Sequence, residues 1–506
     1  MTPVVGFANM VHKPHNDRPK ASRPSAPPAT PSDGKPSVKP AAFVRPSEKP
    51  TASARSSASA RPSSPSAKPS ASAAVTAPVP TRFDAFAVTA PGLAPLVANE
   101  LVALGLTPRE VSDAGVAFDA SLDDLLRVNL WSRMASRVLV RLASFEARDF
   151  ATLEKQAMRM PWSRVLQRGM TVRLRVTCRK SKLYHSDAVA ERVARGIERS
   201  VAGVMVQVGG KEDDDGAEVA ASETSAPLGA SAPLGASAPL GASAPSVPSA
   251  TQLIVVRFEH DQCTISADSS GELLHRRGWR QAIAKAPLRE TLAAAMLVAS
   301  EWDQRMPLVD PFCGSGTIGI EAALTIRNIA PGLDRAFALE HWPGTDAAIV
   351  RVAREEARAS AKPSTGVQIL LADRDAGACD AAVANAERAG VLGDVIIAQQ
   401  ALSDADLGAL GPRGLVLTNP PYGLRVTDGN DLRSLYARLG DVLREGGTGW
   451  RLAMLVPDRQ LAAQLRMKMD TKLRTANGGI GVSVEMTKAV GERRAPHAAT
   501  PTEPAP

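Results

Sequence analysis

Apolar and polar residues begin to alternate near Arg82. "RFDAFAVTA" has the period of two of a half-buried strand, and "PGLAPLVANELVALGL" turns through Pro-Gly into a helix with apolar residues at helical spacing. "GVAFDA" and "RVLVRLASF" read as further short strands around the helix "LDDLLRVNLWS". This β-α-β-β pattern predicts a small α+β sheet domain over residues 81–148. A second α+β unit over 149–268 is predicted from the helix "ATLEKQAMRM", the strand "TVRLRVTC" and the helix "SDAVAERVARGIERSV", for which Ser186 is the expected N-cap. "QLIVVRFEHDQCTISADSS" reads as a hairpin that completes this unit. Between the two parts, "SAPLGA" occurs three times in a Pro/Gly/Ser/Ala-rich segment spanning 211–250. Three short copies without aromatic or β-branched residues cannot build a β-helix, so the segment reads as a flexible insertion that splits a domain.

From about Gly271 the rhythm changes to strands alternating with helices: "PLVDPF", "GTIGIEAALTI", "VQILLAD", "AVANAERAGV", "VIIAQQ", "GLVLTNPP", "LRSLYARLGDVLREGG" and "RLAMLVP". Such alternation predicts an α/β domain over 269–490 with a mostly parallel, doubly wound sheet, and ligands at the carboxyl ends of its strands.

Composition sets the limits of order. Residues 1–80 are Pro, Ala and Ser punctuated by basic residues, and 491–506 are again Pro- and Ala-rich, so both are expected to be disordered tails. The first tail holds eleven Lys/Arg and three acids, an excess equal to the net charge of +8 of the whole chain. The rest is balanced, and nucleic-acid binding by the folded part has to rest on local clusters. No apolar run approaches the roughly 20 residues needed to span a bilayer, and no secretory signal is evident. Four widely spaced cysteines (Cys178, Cys263, Cys313, Cys379) indicate neither a disulfide framework nor a metal site, which suits a cytoplasmic protein.

Two loops carry candidate chemistry. In "LVDPFCGSGTIGIEAAL" an apolar strand runs into a Gly-rich turn and a helix, and Gly314 and Gly316 allow a ligand to lie against the backbone and the helix N-terminus. Gly314, Gly316 and Gly319 also fit the dinucleotide pattern G-x-G-x-x-G, which wants an acid about 20 residues on. Glu340 satisfies that spacing, whereas Asp373 ends the more convincing second strand, where a carboxylate can accept both ribose hydroxyls. The second loop, "LVLTNPPYGLRV", cuts a buried strand short with two prolines and leaves Asn419 and Tyr422 at its end.

"DPFCGSGT" resembles the D-P-x-C-G-S-G-T loop of class I S-adenosylmethionine-dependent methyltransferases, and "NPPYG" resembles the substrate motif of members that methylate amino groups. The resemblance implies a Rossmann-like fold with S-adenosylmethionine as cofactor, held by Asp310 (facing the methionine amino group), Pro311, Phe312, Gly314, Ser315, Gly316 and Thr317, with Asp373 on the ribose. The family's Asp for the adenine amine has no counterpart in "VIIAQQALSDAD", where Gln400 or Asp404 would have to serve. In the catalytic motif Asn419, Pro420, Pro421 and Tyr422, the Asn419 side-chain carbonyl and the Pro420 main-chain carbonyl would accept the two amine hydrogens while Tyr422 stacks on the flipped base. Neither a metal nor a covalent nucleophile is required.

The substrate class comes from upstream. Ten Lys/Arg against three acids between Arg164 and Arg199 form a candidate phosphate-binding face. "CRKSKLYHSDAVAERV" and "GELLHRRGWRQAIAKAPLRETLAAAML" resemble tracts of the THUMP-containing ribosomal RNA guanine methyltransferases of the RlmL type, a resemblance covering about residues 82–490 apart from the insertion. It implies a ferredoxin-like and THUMP RNA-binding region ahead of the methyltransferase domain, and a guanine N2 amine of 23S ribosomal RNA, free or in a precursor particle, as substrate. Arg179, Lys180, Lys182 and Tyr184 become RNA-contact candidates, with Arg277 and Arg280 beside them, although Tyr184 could equally be a core aromatic. Some RlmL proteins carry a second methyltransferase domain; none is expected after Val490. The rival readings are a transfer RNA guanine methyltransferase, a DNA adenine methyltransferase, a non-catalytic RNA-binding assembly factor and, remotely, an oxidoreductase.

Overall fold

A computed structural model of the protein describes residues 82–208, 250–281, 288–422 and 432–491. The sequence readings for the N-terminal tail, the "SAPLGA" insertion and the end of the chain fall outside these residues.

Strict alternation puts one face of β1 (Phe83–Val88) into the core, and the elements that follow are α1 (Ala94–Ala103), β2 (Pro108–Ser112), β3 (Gly115–Ala120), α2 (Leu122–Trp131) and β4 (Arg137–Glu146). The start of α2 is fixed by a capping box in which Ser121 and Asp124 each accept the other's backbone N–H. The strand order β2-β3-β1-β4, all antiparallel, is ferredoxin-like.

Next come α3 (Phe150–Arg159), β5 (Thr171–Arg179), α4 (Ser186–Ser200), β6 (Met205–Val208), β7 (Thr251–Glu259) and β8 (Gln262–Asp268). β6 and β7, from opposite sides of the insertion, both pair in parallel with β5. β8 pairs with β4, and the two regions that the sequence separates near residue 148 therefore share one eight-stranded sheet, β2-β3-β1-β4-β8-β7-β5-β6. Ser186 is the first helical residue of α4 and His185 takes the N-cap position without a side-chain bond, a shift of one from the expected cap.

The last region comprises α5 (Glu290–Ala299), β9 (Leu308–Asp310), α6 (Thr317–Ile326), α7 (Ala347–Ala359), β10 (Ile369–Asp373), α8 (Ala376–Arg388), β11 (Ile396–Gln399), β12 (Leu415–Thr418), α9 (Leu432–Gly446), β13 (Arg451–Val456), α10 (Arg459–Ala463), β14 (Met469–Asn477) and β15 (Ile480–Thr487). Its sheet runs β11-β10-β9-β12-β13-β15-β14, parallel except for β15, which pairs antiparallel with both neighbours. β9 and β12 are buried along their whole length, as strands covered by helices on both faces must be. Strand order reverses between them, which makes their carboxyl ends the switch point where an open α/β sheet binds ligands. Across to the first sheet, Trp342 packs its ring 5.9 Å from that of Phe83 and donates its indole N–H to Gln252 at 2.7 Å.

Candidate active site

The Gly-rich loop leaves β9 and turns back into α6. Gly314 and Gly316 have φ of +51° and +84°, conformations strained for any side chain, and a Cβ on Gly316 would meet that of Ala382 at 3.1 Å. Gly319 is needed for packing instead, because a Cβ there would lie 2.2 Å from the Leu371 side chain; its absence lets α6 close onto β10. Asp373, at the end of β10, accepts from Gly314 N–H at 3.0 Å and from Asp375 N–H at 3.0 Å, one bond per carboxylate oxygen. Glu340 instead lies in a 3-10 turn, accepts from Phe337 N–H and pairs with Arg354 at 2.6 Å. The alternative acid suggested by dinucleotide spacing is thus committed elsewhere. Gln400 donates its main-chain N–H to the Asp373 carbonyl and its side-chain amide to the Asp404 carbonyl, which puts both candidates for the adenine contact in one turn after β11.

Asp310 ends β9 fully buried and accepts from Phe312 N–H at 3.2 Å and from the Thr418 hydroxyl at 2.6 Å. Burial pushes its pKa up to about 7, against the pull of these hydrogen bonds and with a push from the Asp373 charge. Thr418 was not singled out by the sequence, although a hydroxyl closing an otherwise apolar strand just before Asn419 was a usable signal. It ties the cofactor-loop strand to the strand that carries the substrate motif.

β12 stops at Thr418, as the two prolines demand. Pro420 is buried, Pro421 accepts from the Tyr436 hydroxyl at 3.4 Å, and the Tyr422 hydroxyl accepts from the Asn477 amide at 2.9 Å. The Asn419 Oδ1 atom is closed off from solvent and has no hydrogen-bond partner among the described residues. A buried carbonyl oxygen left unpaired is destabilising by about 1–3 kcal/mol unless a ligand supplies a donor.

The basic candidates divide. Arg179, at the end of β5, and Lys180 and Lys182, in the turn after it, are exposed, and Tyr184 is 68% exposed with its ring 4.0 Å from that of His185, so it is no core aromatic. Around them, Arg192 and Arg199 are spent on Glu154, Arg195 on Glu191, and Arg164 lies over the Phe83 ring. Arg277 and Arg280 correct the sequence expectation. Arg277 is buried against Glu321 at 3.3 Å and donates to the carbonyls of Leu274 and Arg133, while Arg280 grips Glu290 through two bonds of 2.9 and 2.5 Å. Both brace the protein through intramolecular carboxylates, Arg277 from a buried position and Arg280 from a partly buried one.

A model of the "RMKL-like, methyltransferase domain" matches residues 277–485, and one of the "RlmL ferredoxin-like domain" matches residues 84–139. A Synechocystis protein named as an RNA methyltransferase is 30% identical over 78% of this chain and 94% of its own length. The chain belongs to the RMKL-like methyltransferase family. Within it, the "Ribosomal RNA large subunit methyltransferase K/L" of Syntrophotalea carbinolica is 33% identical over 78% of this chain, which spans about half (52%) of that relative's length. A methyltransferase solved in complex with SAH superposes with a TM-score of 0.67 at 27% identity, over 82% of this chain and 99% of that one. The second sheet is therefore a class I methyltransferase fold, and the α+β region ahead of it contains the family's ferredoxin-like unit. Among the described residues, no helix is long and apolar enough to cross a membrane and no cluster of acids, Cys and His is arranged to hold a metal ion.

Proposed function

We propose that this RMKL-like protein is an S-adenosylmethionine-dependent methyltransferase that modifies the exocyclic N2 amine of a guanine in large-subunit ribosomal RNA, in the cytoplasm. The observation that carries the reading is the buried Asn419 Oδ1 at the end of β12, unpartnered among the described residues and one strand from the Gly-rich loop. An exocyclic amine is a poor nucleophile because its lone pair is delocalised into the ring. Two acceptors, Asn419 Oδ1 and the Pro420 carbonyl, would take its two hydrogens and turn the lone pair out of that conjugation. Tyr422, oriented by its bond to Asn477, is the stacking surface for the extruded base.

The loop fits the cofactor in its steric and polar features. Gly314 and Gly316 supply the positive-φ turn of the loop, Asp310 is the carboxyl for a methionine ammonium, and Asp373 keeps acceptor capacity for ribose hydroxyls beyond its two backbone bonds. When bound, S-adenosylmethionine supplies an electrophilic methyl group on a cationic sulfonium. What the protein adds is placement and dipoles aimed at one nitrogen, and neither a metal nor a covalent bond to the enzyme is needed. The ribosomal assignment draws on the names of the half-matched K/L relatives and on the exposed basic turn after β5.

Two measurements test this. Asn419→Ala should lower kcat about 10²–10³-fold, the loss typical of a positioned hydrogen-bonding group, with cofactor affinity within threefold of wild type. Methylated guanines should be mapped in ribosomal and transfer RNA from cells lacking the protein. Loss of one N2-methylguanine from large-subunit RNA is expected. Its loss from a transfer RNA alone would replace the substrate, and full retention in both would overturn the reading.

A further inference from the structure

Helix α8 buries Cys379, Ala382, Asn385 and Ala386, and an amide among such neighbours is out of place. Asn is a mediocre helix former, and its desolvation is compensated only by the bonds it makes. Asn385 donates through Nδ2 to the Ser315 carbonyl at 3.0 Å. Its Oδ1 accepts from Gln281 N–H at 3.3 Å and from Arg388 Nη2 at 2.5 Å, while Arg388 Nε donates to the Trp279 carbonyl at 2.8 Å. One side chain thereby joins the cofactor loop to the segment that connects the two sheets.

The bond to Ser315 matters because of what flanks it. The Ser315 carbonyl and the Gly316 N–H belong to one rigid peptide plane. The plane is bordered on one side by Gly316, whose φ of +84° no side chain restricts, so sterics fix its rotation less than between two side-chain-bearing residues. Two hydrogen bonds hold it instead: Gly316 N–H to the Cys313 carbonyl at 2.8 Å, and Asn385 to the Ser315 carbonyl. The connecting segment is itself anchored to the loop that leads into β4 of the first sheet, since Leu274 N–H donates to the Ser136 carbonyl at 2.8 Å and Arg277 to the Arg133 carbonyl at 2.5 Å.

Resting on the cofactor assignment above, we infer that Asn385 is a positioning residue that sets the Ser315–Gly316 peptide of the cofactor loop, and that Arg388 holds this setting in register with the RNA-binding sheet. Asn385→Asp keeps size and the Oδ1 acceptor but faces the Ser315 carbonyl with an oxygen. Arg388→Met, at an exposed position, removes the tie to the Trp279 carbonyl of the connecting segment and leaves the Asn385–Ser315 bond in place.

The test is titration of the purified full chain with S-adenosylmethionine and, separately, with ribosomal RNA, together with kcat, KM and Tm. N385D should bind cofactor at least tenfold more weakly with RNA affinity within twofold of wild type. R388M should keep both affinities within twofold and lose at least fivefold in kcat with KM unchanged. A folded N385D with wild-type cofactor affinity overturns the inference, and so does one in which cofactor and RNA affinity fall in step with Tm, as a merely structural role would produce. If N385D does not fold, R388M decides, and wild-type kcat there overturns it. A wild-type protein that binds no S-adenosylmethionine sinks the proposed function and this inference together, whereas binding by wild type with N385D unaffected sinks this inference alone.

Discussion

The two basic tracts that resemble RlmL-type proteins occupy opposite environments. At the end of β5 and in the turn after it, Arg179, Lys180 and Lys182 stand in solvent, and the turn is pinned from beneath: Asp261 accepts from Lys182 N–H at 2.7 Å and gives its own N–H to the Ser181 hydroxyl at 2.9 Å. In the segment connecting the sheets, Arg277 is buried against Glu321 and Arg280 is partly buried against Glu290. Positive charge has a different use in each place. A rigid exposed turn offers cations to a polyanion at little desolvation penalty, whereas a cation in the core is tolerable only beside a carboxylate and serves to fix one element against another. The deciding residue is the distant acid, and Glu321 lies 44 positions from the arginine it neutralises.

Removing that acid should produce the largest effect. Glu321 pairs with Arg277 at 3.3 Å and Arg133 at 3.8 Å, so Glu321→Ala takes the paired carboxylate from two largely buried guanidinium groups and leaves them only the weaker pull of Glu290 and Glu100. A loss of about 3–5 kcal/mol of stability is expected, read from denaturant unfolding. Stability within about 1 kcal/mol of wild type would erase the distinction between the tracts.

The same contrast explains what the sequence could and could not disclose. β1, β9, β10 and β12 were legible because burial leaves a period of two or an unbroken apolar run, and the end of β12 because prolines stop strands. β2 and β6 were missed: "PREVS" and "MVQV" are short edge strands whose residues are mostly exposed, so no pattern marks them. The β14–β15 hairpin that carries Asn477 to Tyr422 was missed as well. Glycines and acids at the switch point announced themselves because their chemistry is local to a loop. Arg277, Thr418 and Asn385 take their meaning from partners far away in sequence, Glu321, Asp310 and Ser315, and no spacing rule reaches that far.

On the exposed side, replacing Arg179, Lys180 and Lys182 together with Ala should leave stability within about 0.5 kcal/mol, as expected for surface sites. RNA affinity should behave differently. If each cation neutralises one phosphate, the slope of log K against log salt becomes shallower by about two to three units, so the variant's deficit relative to wild type is at least about hundredfold greater at 0.1 M than at 1 M salt. An unchanged slope would remove this turn from the RNA interface.

Asp310 sharpens the comparison from a third side, as a buried acid whose hydrogen-bond partners are neutral. With its pKa pushed up to about 7 by burial, it is largely neutral at pH 6 and ionised at pH 8 in the cofactor-free protein. A methionine ammonium favours the ionised form, so cofactor affinity should fall as pH falls, by about tenfold between pH 8 and pH 6. Asp310→Asn should flatten that profile. The sign for stability is the reverse: the unfolded carboxyl ionises at lower pH than the folded one, so the cofactor-free protein becomes less stable as pH rises toward 7.

The smallest change tests what the exposed aromatic pair is for. Tyr184 and His185 present adjacent rings beside the basic turn, tilted 41° to one another. A ring used for stacking keeps its value without its hydroxyl, because the π-face makes the contact. Tyr184→Phe should therefore hold RNA affinity within twofold, while Tyr184→Ala loses the roughly 1–3 kcal/mol of a stacked base. If Phe weakened binding as much as Ala, the hydroxyl would be the contact, and the turn would act through polar groups alone. Since the side chain is 68% exposed, neither substitution should move the unfolding midpoint, and that constancy separates this position from Arg277.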